Sequence, residues 1–349
     1  MWREMLPGER REVEVGGHKV ITYSFGHGAD VVFCLNGGPG LPCDHLREAH
    51  SCLVDHGYRV VAFDQLGTGA SDRPTDPALW TIGRYVEETE TVRAALGLGK
   101  VHLLGHSWGG WLGIDYAVAH PEALRTLIVE DAVADMPHLI SELDRLWGAL
   151  GSETVAMMQR HEADGTIDHP EYLAVVTILN YRHVCWLADW PAPLKRSLDD
   201  LNMAPYETMQ GPNEFLYVGN LKDWNRIPDL PGITVPVLIT CGQHDELTPA
   251  CASHMKRALP NARQTVFPNS SHMPFYEEPG AYHPVPPRLP RRQPGPGMTP
   301  YRTRRHRSRR RGIDPASGSY RGDGGNHPAA SRTWVSTEKA SAGRLHRTA

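Results

Sequence analysis

VHLLGHSWGG, at residues 101–110, joins a short apolar run to a Gly-X-Ser-X-Gly motif centred on Ser107. The apolar run at 101–104 predicts a buried strand, and residues 111–119 predict a helix. Between a strand and a helix, such a motif forms a sharp turn that strains the serine backbone and presents its hydroxyl as a nucleophile. Glycines are needed around the serine because the helix and the strand approach each other closely there. The helix N-terminus adds partial positive charge beside the hydroxyl, which helps to stabilise an oxyanion.

The length and composition of the chain are those of a globular protein. Its 349 residues are enough for one large α/β domain or two ordinary ones. The longest apolar runs are too short to span a bilayer, and the N-terminus lacks the basic-then-apolar plan of a signal peptide. The six cysteines are scattered without a Cys-X-X-Cys pair, which predicts reduced thiols rather than disulfides or zinc ligands. We therefore expect a cytoplasmic protein with no membrane partner and no bound metal.

The formal net charge of −4 hides an uneven distribution of charged residues. From Pro284 onward there are 15 Lys and Arg against 3 Asp and Glu, which leaves 21 basic and 37 acidic residues for the rest. An acidic body disfavours nucleic acid and favours cationic ligands. The tail is rich in Pro, Gly, Ser and Arg, so we expect it to be disordered. Its basic run at 302–311 could bind RNA or serve as a localisation signal, but a solvated extension is the preferred interpretation.

Predicted strands alternate with predicted helices along most of the chain. The strand patterns lie at residues 11–15, 19–25, 31–35, 58–63, 101–104, 124–129, 235–240 and 262–267. The helical patterns between them lie at residues 44–56, 81–98, 111–119 and 250–258. The first two strands meet at Gly16-Gly17, which indicates an antiparallel hairpin. The alternation of the others predicts a parallel sheet with helices on both faces.

The alternation is interrupted between Met136 and Leu230, where the sequence is helical and rich in Trp and Met. Patterns at 140–150 and 170–188 predict amphipathic helices there. An insertion at this point is expected to lie over the strand ends as a lid. The predicted organisation is a first core part at 1–132, a helical cap at 133–231, a second core part at 232–283 and a disordered tail at 284–349.

Two polar side chains follow the last two predicted strands and complete a catalytic set with the serine. A serine hydroxyl is a poor nucleophile without a base, and the base needs an acid to orient it. Asp245 lies in the loop after strand 235–240, and His272 lies in the loop after the final strand. The carboxyl ends of parallel strands share one edge of the sheet, where open α/β sheets bind ligands. Since the order Ser, Asp, His is that of an α/β-hydrolase, we predict Ser107 as nucleophile, Asp245 as orienting acid and His272 as base.

The oxyanion formed during acyl transfer needs two hydrogen-bond donors. One is the backbone N–H of Trp108, which directly follows the nucleophile. The second is expected from the glycine turn after the third strand, at Gly37 or Gly38, with Gly38 preferred. Glycines let the backbone approach a substrate carbonyl, and Pro39 stiffens the turn.

Residues 23–279 resemble the proline iminopeptidase family of α/β-hydrolases, which includes the tricorn-interacting aminopeptidase and the amino-acid amidases. The matching motifs are GGPG at 37–40, DQLGTGAS at 64–71, GHSWGG at 105–110, QGPNEF at 210–215, the Asp245 loop and SHM at 271–273. The resemblance implies an α/β-hydrolase fold with a mostly parallel sheet and an inserted helical cap. It also implies release of an N-terminal residue, often proline, from short peptides, or hydrolysis of an amino-acid amide. No metal or organic cofactor is implied.

The same resemblance implies a binding site for the substrate amine. An aminopeptidase must recognise a cationic α-amino group, and that requires carboxylates in a partly desolvated pocket. In the tricorn-interacting aminopeptidase that this chain resembles, acids at the motif positions of Glu214 and Glu246 bind the amine. We therefore predict Glu214 and Glu246 as amine-binding residues.

The sequence departs from the family in two places. Asn36 stands where the family usually has His before the glycine turn, and we expect this to tune the site because Asn also forms hydrogen bonds. The family has a closing helix after the catalytic histidine, whereas here residues 277–282 begin a helix and the sequence then resembles a frameshifted end. Two alternatives to an aminopeptidase or amidase remain: a carboxylesterase of the same fold, or a binding protein whose altered C-terminus impairs catalysis.

Overall fold

The computed structural model describes residues 8–283, and a mixed β-sheet organises them. Within that range the eight strands lie in the order β1-β2-β4-β3-β5-β6-β7-β8. They are β1 Glu9–Val15, β2 His18–Phe25, β3 Asp30–Leu35, β4 Tyr58–Asp64, β5 Val101–His106, β6 Leu124–Glu130, β7 Val237–Gly242 and β8 Ala262–Phe267. β2 pairs antiparallel with β1 and with β4, and the remaining pairs are parallel. The predicted mostly parallel sheet, with a hairpin at its start, is confirmed.

Helices cover both faces of this sheet. They are α1 Asp44–His50, α2 Ile82–Ala95, α3 Trp108–Ala119, α4 Met136–Gly148, α5 Ser152–Ala163, α6 Pro170–Leu179, α7 Ala192–Asp199, α8 Met203–Met209, α9 Pro249–Ala258, α10 Pro274–Glu277 and α11 Pro279–Tyr282. Successive side chains of a strand point to opposite faces. Val61 and Leu103 therefore pack into one buried cluster, while their neighbours Val60 and Leu104 pack into another. Burial on both faces explains why the central strands are continuous apolar runs.

Two predicted helices end earlier than their patterns indicated. The prediction of one helix over 170–188 was wrong, because α6 ends at Leu179 and a single π-helical turn, Asn180–Val184, follows. The pattern at 44–56 divides into α1 and a 3-10 helix, Ser51–His56. The numbers of residues per turn in these three helix types are too similar for apolar spacing to separate them over a few residues.

The helices α4 to α8 form an insertion between β6 and β7, here called the cap. Asn202 links the cap to two loops of the core, since its backbone N–H donates to the Gly40 carbonyl at 3.0 Å and its side chain to the Gly67 carbonyl at 2.9 Å. His183 Nδ1–H donates to the His244 carbonyl at 2.7 Å. These carbonyls lie in the loops after β3, β4 and β7. The cap therefore lies at the carboxyl edge of the sheet, and the predicted helical insertion is confirmed.

The described part of the chain closes with α10 and α11. Tyr282, in α11, is fully buried, and its hydroxyl donates to a carboxylate oxygen of Glu130 at the end of β6. His50 Nε2 lies 2.6 Å from the same hydroxyl. The predicted disordered tail at 284–349 lies outside the described residues. Within residues 8–283, the helices are too short or too polar for any of them to cross a membrane.

Candidate active site

Ser107 lies in the turn between β5 and α3, with a φ of 56° and a ψ of −125°. A residue other than glycine seldom has a positive φ, so this backbone is strained. Close packing holds the strain in place. A side chain at Gly105 would collide with the carbonyl of Gly109, and one at Gly109 would collide with the carbonyl of Leu35. The structure thus has the strand-turn-helix geometry that residues 101–110 predict.

Asp245 and His272, predicted from separate loops, are hydrogen-bonded to each other. β7 ends at Gly242, two residues later than predicted, and Asp245 follows in the next loop. His272 Nδ1–H donates to Asp245 Oδ1 at 2.9 Å, and both side chains are almost completely buried. The same Oδ1 accepts the backbone N–H of Leu247 at 2.9 Å. Two hydrogen-bond donors therefore hold the Asp245 carboxylate at the Nδ1 side of the His272 imidazole.

The electrostatics of this pair suit a general base. Burial by itself would lower the pKa of His272, but the Asp245 carboxylate outweighs it and raises that pKa above its usual value. Burial by itself would raise the pKa of Asp245, but His272 and the hydrogen bonds to Oδ1 hold it below its usual value. An imidazole whose Nδ1 proton is fixed by an anion leaves its Nε2 free to accept a proton.

His106 connects the His272 loop to the strand that carries the serine. It is the last residue of β5, and its Nε2–H donates to the His272 carbonyl at 2.9 Å. The centroids of the two rings lie 4.7 Å apart. Burial, together with the nearby His272, lowers the pKa of His106 well below its usual value. A neutral ring at this place would not oppose the positive charge that His272 gains if it acts as the predicted base.

The predicted oxyanion turn borders the nucleophile. A Cβ on Gly37 would lie 3.3 Å from the Cβ of Ser107. Gly38 has a φ of 119°, a conformation that glycine adopts without strain. Asn36 is fully buried, and its side-chain amide donates to the Gly37 carbonyl at 3.2 Å and to the carbonyl of Leu41. The asparagine that replaces the family's histidine therefore braces the turn.

Trp108, the other predicted oxyanion donor, is the first residue of α3. A backbone N–H in the first turn of a helix has no acceptor within the helix, so it can bind an anion. Its indole Nε1–H donates to Gln65 Oε1 at 2.9 Å, which anchors the side chain to the loop after β4.

Glu246 lies beside the acid-base pair as a buried carboxyl. It is fully buried, and its Oε1 is 3.4 Å from His272 Nδ1, yet neither carboxyl oxygen has a hydrogen-bond partner among the described residues. Burial, with repulsion from Asp245 and Glu214, raises the pKa of Glu246 well above its usual value. A buried polar group without a partner costs free energy. This carboxyl could therefore accept a cationic ligand.

Glu214 approaches the same place from the cap. Its carboxylate accepts hydrogen bonds from the Tyr206 hydroxyl at 2.8 Å and from the Gln210 side chain at 2.9 Å. Burial, and then the charges of Glu214 and Glu246, raise the pKa of Tyr217 well above its usual value. The buried Tyr217 hydroxyl has no hydrogen-bond partner in the described part of the chain. The two predicted amine-binding residues therefore interact electrostatically with each other and with Tyr217.

Two carboxylic side chains near the site were missed by sequence reasoning. Asp131 follows β6, and one of its oxygens lies within 4.8 Å of an oxygen of Asp245 and a nitrogen of His272. Glu277, in α10, accepts hydrogen bonds from the backbone of the His272 loop. Asp131 lies in the loop just after the predicted strand at 124–129, and Asp245 was identified from its place in the loop after another predicted strand. Glu277 had no comparable signal, because it acts on backbone amides.

Two groups of side chains in residues 8–283 place three possible metal-binding atoms within 4.8 Å of one another. One consists of Asp131, Asp245 and His272, whose contacts are those of an acid-base set. The other consists of His161, His169 and Glu171. His169 and Glu171 of the second group lie at the start of α6, where the positive end of that helix dipole disfavours a cation, and His161 lies in the last turn of α5. We assign neither group to a metal.

A comparison with sequence models of protein families identifies the fold family of this chain. The sequence model of a family described as the alpha/beta hydrolase fold matches residues 30–279. This range includes Ser107, Asp245 and His272 together with the glycine turn and both predicted amine-binding acids. The chain is therefore an α/β hydrolase.

Individual relatives then narrow the class to one family. The proline iminopeptidase of Saccharolobus solfataricus is 38% identical over 250 residues, which cover 71% of this chain and 80% of the relative. That of Heyndrickxia coagulans is 35% identical over 273 residues, 77% of this chain and 94% of the relative. The chain belongs to the proline iminopeptidase family, and it is a peptidase.

Solved structures agree with this assignment. The structure of the proline iminopeptidase from Mycobacterium smegmatis is 35% identical with a TM-score of 0.75, and the match covers 80% of this chain and 96% of that one. The structure of VinJ is 35% identical with a TM-score of 0.77, and the match covers 80% of this chain and 97% of that one.

Proposed function

We propose that this peptidase is a serine aminopeptidase that releases an N-terminal residue, proline or another small apolar residue, from short peptides, or that hydrolyses amino-acid amides. The observation that carries the proposal is the buried carboxyl of Glu246, which has no hydrogen-bond partner within residues 8–283 and lies beside the Asp245–His272 pair. The relatives that are named proline iminopeptidase support the choice of proline.

The reaction begins when Ser107 Oγ attacks the carbonyl carbon of the first peptide bond. His272 Nε2 takes the hydroxyl proton, and the Asp245 carboxylate stabilises the imidazolium that forms. The backbone N–H groups of Trp108 and Gly38 donate to the oxyanion of the tetrahedral intermediate. As the intermediate collapses, the C–N bond breaks and His272 gives its proton to the leaving amine.

A water molecule then completes the cycle. His272 Nε2 takes a proton from the water, which attacks the ester carbonyl of the acyl-enzyme. The second tetrahedral intermediate uses the same two amide donors, and its collapse returns the proton to Ser107 Oγ. The products are the free amino acid and the shortened peptide, and the steps balance with water as the sole co-reactant.

The paired acids select a free N-terminus. A cationic α-amino group held between the part-buried Glu214 and the fully buried Glu246 would supply the positive charge that these carboxyls lack. It would also lie one carbon atom from the carbonyl that Ser107 attacks, since the α-carbon joins the two groups. An acylated N-terminus carries no charge, and its binding would leave the buried Glu246 carboxyl without a positive partner.

The decisive experiment measures kcat/KM on matched substrates. We expect the Glu214→Ala variant to lose about 2–4 kcal/mol of transition-state binding on prolyl p-nitroanilide, the range for leaving a buried charge unpaired. A small neutral ester should be hydrolysed at nearly the wild-type rate. Glu207→Ala is the matched control, because Glu207 lies exposed on the cap helix α8, which ends shortly before Glu214.

Two results would contradict the amine pocket. One is an equal loss on the anilide and the ester, which would mean that Glu214 supports the site without binding an amine. The other is efficient cleavage of N-acetyl-prolyl p-nitroanilide by the wild type. Efficient ester hydrolysis with no anilide turnover would favour the carboxylesterase alternative, and binding without turnover would favour the impaired binding protein.

The proposed setting is the cytoplasm, with a short peptide or an amino-acid amide as the binding partner. The six cysteines all lie within the described residues, where none of them forms a disulfide. This number of cysteines outside disulfides suits a reducing compartment.

A further inference from the structure

Asp131 is a fully buried carboxyl that the proposed reaction does not use. It directly follows β6, and its φ of 47° lies in the left-handed region. Asp and Asn enter this region more readily than other residues that carry a Cβ. Asp131 Oδ1 accepts the backbone N–H of Gly242 at 2.9 Å, so the side chain is directed at the end of β7 and the Asp245 loop.

Asp131 and Asp245 each have one carboxyl oxygen to which no described group donates a hydrogen bond. Asp131 Oδ2 and Asp245 Oδ2 are both buried, and neither has a hydrogen-bond partner among the described residues. The two carboxyls and the His272 ring each place a polar atom within 4.8 Å of the other two. Two ionised carboxylates at this separation in a buried site repel each other strongly, so one of them holds a proton.

The donors around each carboxyl decide which one is protonated. Asp245 Oδ1 accepts from both His272 Nδ1–H and Leu247 N–H, whereas Asp131 accepts from Gly242 N–H. We propose that Asp131 is a positioning residue for the acid of the triad: a neutral carboxylic acid whose hydroxyl donates a hydrogen bond to Asp245 Oδ2. This bond fills the last free acceptor of Asp245 and fixes the plane of its carboxylate against the imidazole.

The surroundings of Asp131 favour the neutral form. Burial and repulsion from Asp245 raise the pKa of Asp131 well above its usual value. The other titratable groups that face it are Cys241 of β7, Glu130 of β6 and Tyr282 of α11. Each of these would become an anion on ionisation, so none of them stabilises a negative charge on Asp131. Of the groups that can be cationic, His272 is paired with Asp245, and His50 contacts Tyr282 and Glu130.

The hydrogen bond has a consequence for the base. A donor on Oδ2 disperses part of the Asp245 charge and weakens the attraction of that charge for the His272 proton. If the donor is lost, the full charge acts on the imidazole and the pKa of His272 rises. The neutral fraction of His272 at a given pH then falls, and catalysis as a base falls with it.

Two variants separate this role from a purely structural one, and both suit the positive φ. Asp131→Asn keeps an acceptor for Gly242 and a donor for Asp245, whereas Asp131→Gly keeps the backbone conformation and removes both. In the profile of kcat/KM against pH, the acid limb is the range in which activity falls as His272 becomes protonated. We expect Asp131→Gly to move the midpoint of this limb to a higher pH by about half to one unit. We expect Asp131→Asn to leave that limb in place and to retain more activity than Asp131→Gly.

This kinetic test rests on the proposed function, so a second measurement is independent of substrate. The infrared difference spectrum of wild type minus Asp131→Asn, recorded on the full chain near neutral pH, should contain the carbonyl band of a protonated carboxylic acid. A difference that contains carboxylate bands instead would show an ionised Asp131 and overturn the proposal, whatever the activity.

A downward shift of the acid limb in Asp131→Asn, or unshifted limbs in both variants, would also overturn it. Inactivity of the wild type on every anilide would defeat the proposed function while the infrared result still decides the state of Asp131.

Discussion

At the scale of single residues, Ser107 lies in a turn whose backbone is constrained by close packing. Its positive φ is imposed by the packing of β5 against α3, in which Gly105 and Gly109 touch backbone carbonyls. The strained torsion angle is in the backbone of Ser107, and the hydroxyl group does not cause it. A change at Oγ should therefore alter the reaction and leave the fold intact.

We expect Ser107→Ala to reduce kcat on prolyl p-nitroanilide by on the order of a millionfold, because the remaining rate comes from binding and the oxyanion donors alone. His272→Ala should be comparably severe, and the double variant Ser107→Ala/His272→Ala should be little worse than either, since the groups act as a unit. Thermal denaturation of the single serine variant is the control and should match the wild type. Activity within a few fold of wild type would remove Ser107 from the mechanism.

The pH dependence should report the pair behind the serine. His272 must be neutral to act as a base, and Asp245 raises its pKa above the usual 6.5. The acid limb of kcat/KM on a neutral ester should therefore have its midpoint above that value, with activity lost as the pH falls through it and His272 becomes protonated. Asp245→Asn should move the midpoint downward, because the anion that holds the proton is gone. A midpoint that Asp245→Asn leaves unchanged would assign the limb to another group.

At the scale of elements, the short helix α10 positions the loop that carries His272. Glu277 of this helix accepts Ser271 N–H at 2.7 Å and Ser271 Oγ–H at 2.6 Å, and it also accepts Met273 N–H at 3.2 Å. It further accepts the backbone N–H of Trp186, in the cap, at 2.6 Å. One carboxylate thus joins the loop of the base to the cap.

Substitution of Glu277 tests this function of α10. We expect Glu277→Gln to lower kcat by about tenfold or more, because an amide cannot accept all four bonds and a small displacement of the base is costly. Glu278→Gln is the matched control, since the neighbouring Glu278 binds Asn269 and Ser270 on the outer side of the same loop. Equal effects of the two substitutions would show that α10 contributes stability alone.

At the scale of the whole molecule, three parts of the chain meet around one network. Tyr282 of α11, Glu130 of β6 and His50 of α1 are buried and in contact through the Tyr282 hydroxyl. This network attaches the last described helix to the centre of the sheet. The boundary of the folded core on the C-terminal side should therefore lie just after it.

Chains shortened from the C-terminus test where the folded core ends. We expect a chain ending at residue 283 to keep its thermal stability and its anilide activity, because the basic tail lacks the apolar residues needed for packing. A chain ending at residue 278 should fail to fold, since it loses Tyr282 and leaves Glu130 buried without that donor. Tyr282→Phe, measured by thermal denaturation, should cost about 1–3 kcal/mol. If the chain ending at 283 unfolds, the tail is structural after all.

Much of the architecture could be predicted because it depends on local patterns. Apolar runs alternating with helical spacing identified the parallel sheet and the cap, and the Gly-X-Ser-X-Gly motif identified the turn at Ser107. The loops of Asp245 and His272 could be assigned because the direction of parallel strands places their carboxyl ends together. Errors occurred where the pattern does not separate alternatives, as at the π-helical turn Asn180–Val184.

The sequence by itself determined the sheet, the cap and the order of the predicted triad, since these depend on periodicity, on chain direction and on motifs of a few residues. The tertiary structure decided which carboxyls lie together and which remain without donors. Apart from the family resemblance that predicted Glu246 as an amine-binding residue, Glu246 and Asp131 are ordinary loop acids in the sequence, and their chemistry arises from burial next to Asp245. Burial and the distance between charges depend on the packing of segments far apart in the chain, and no local pattern encodes them.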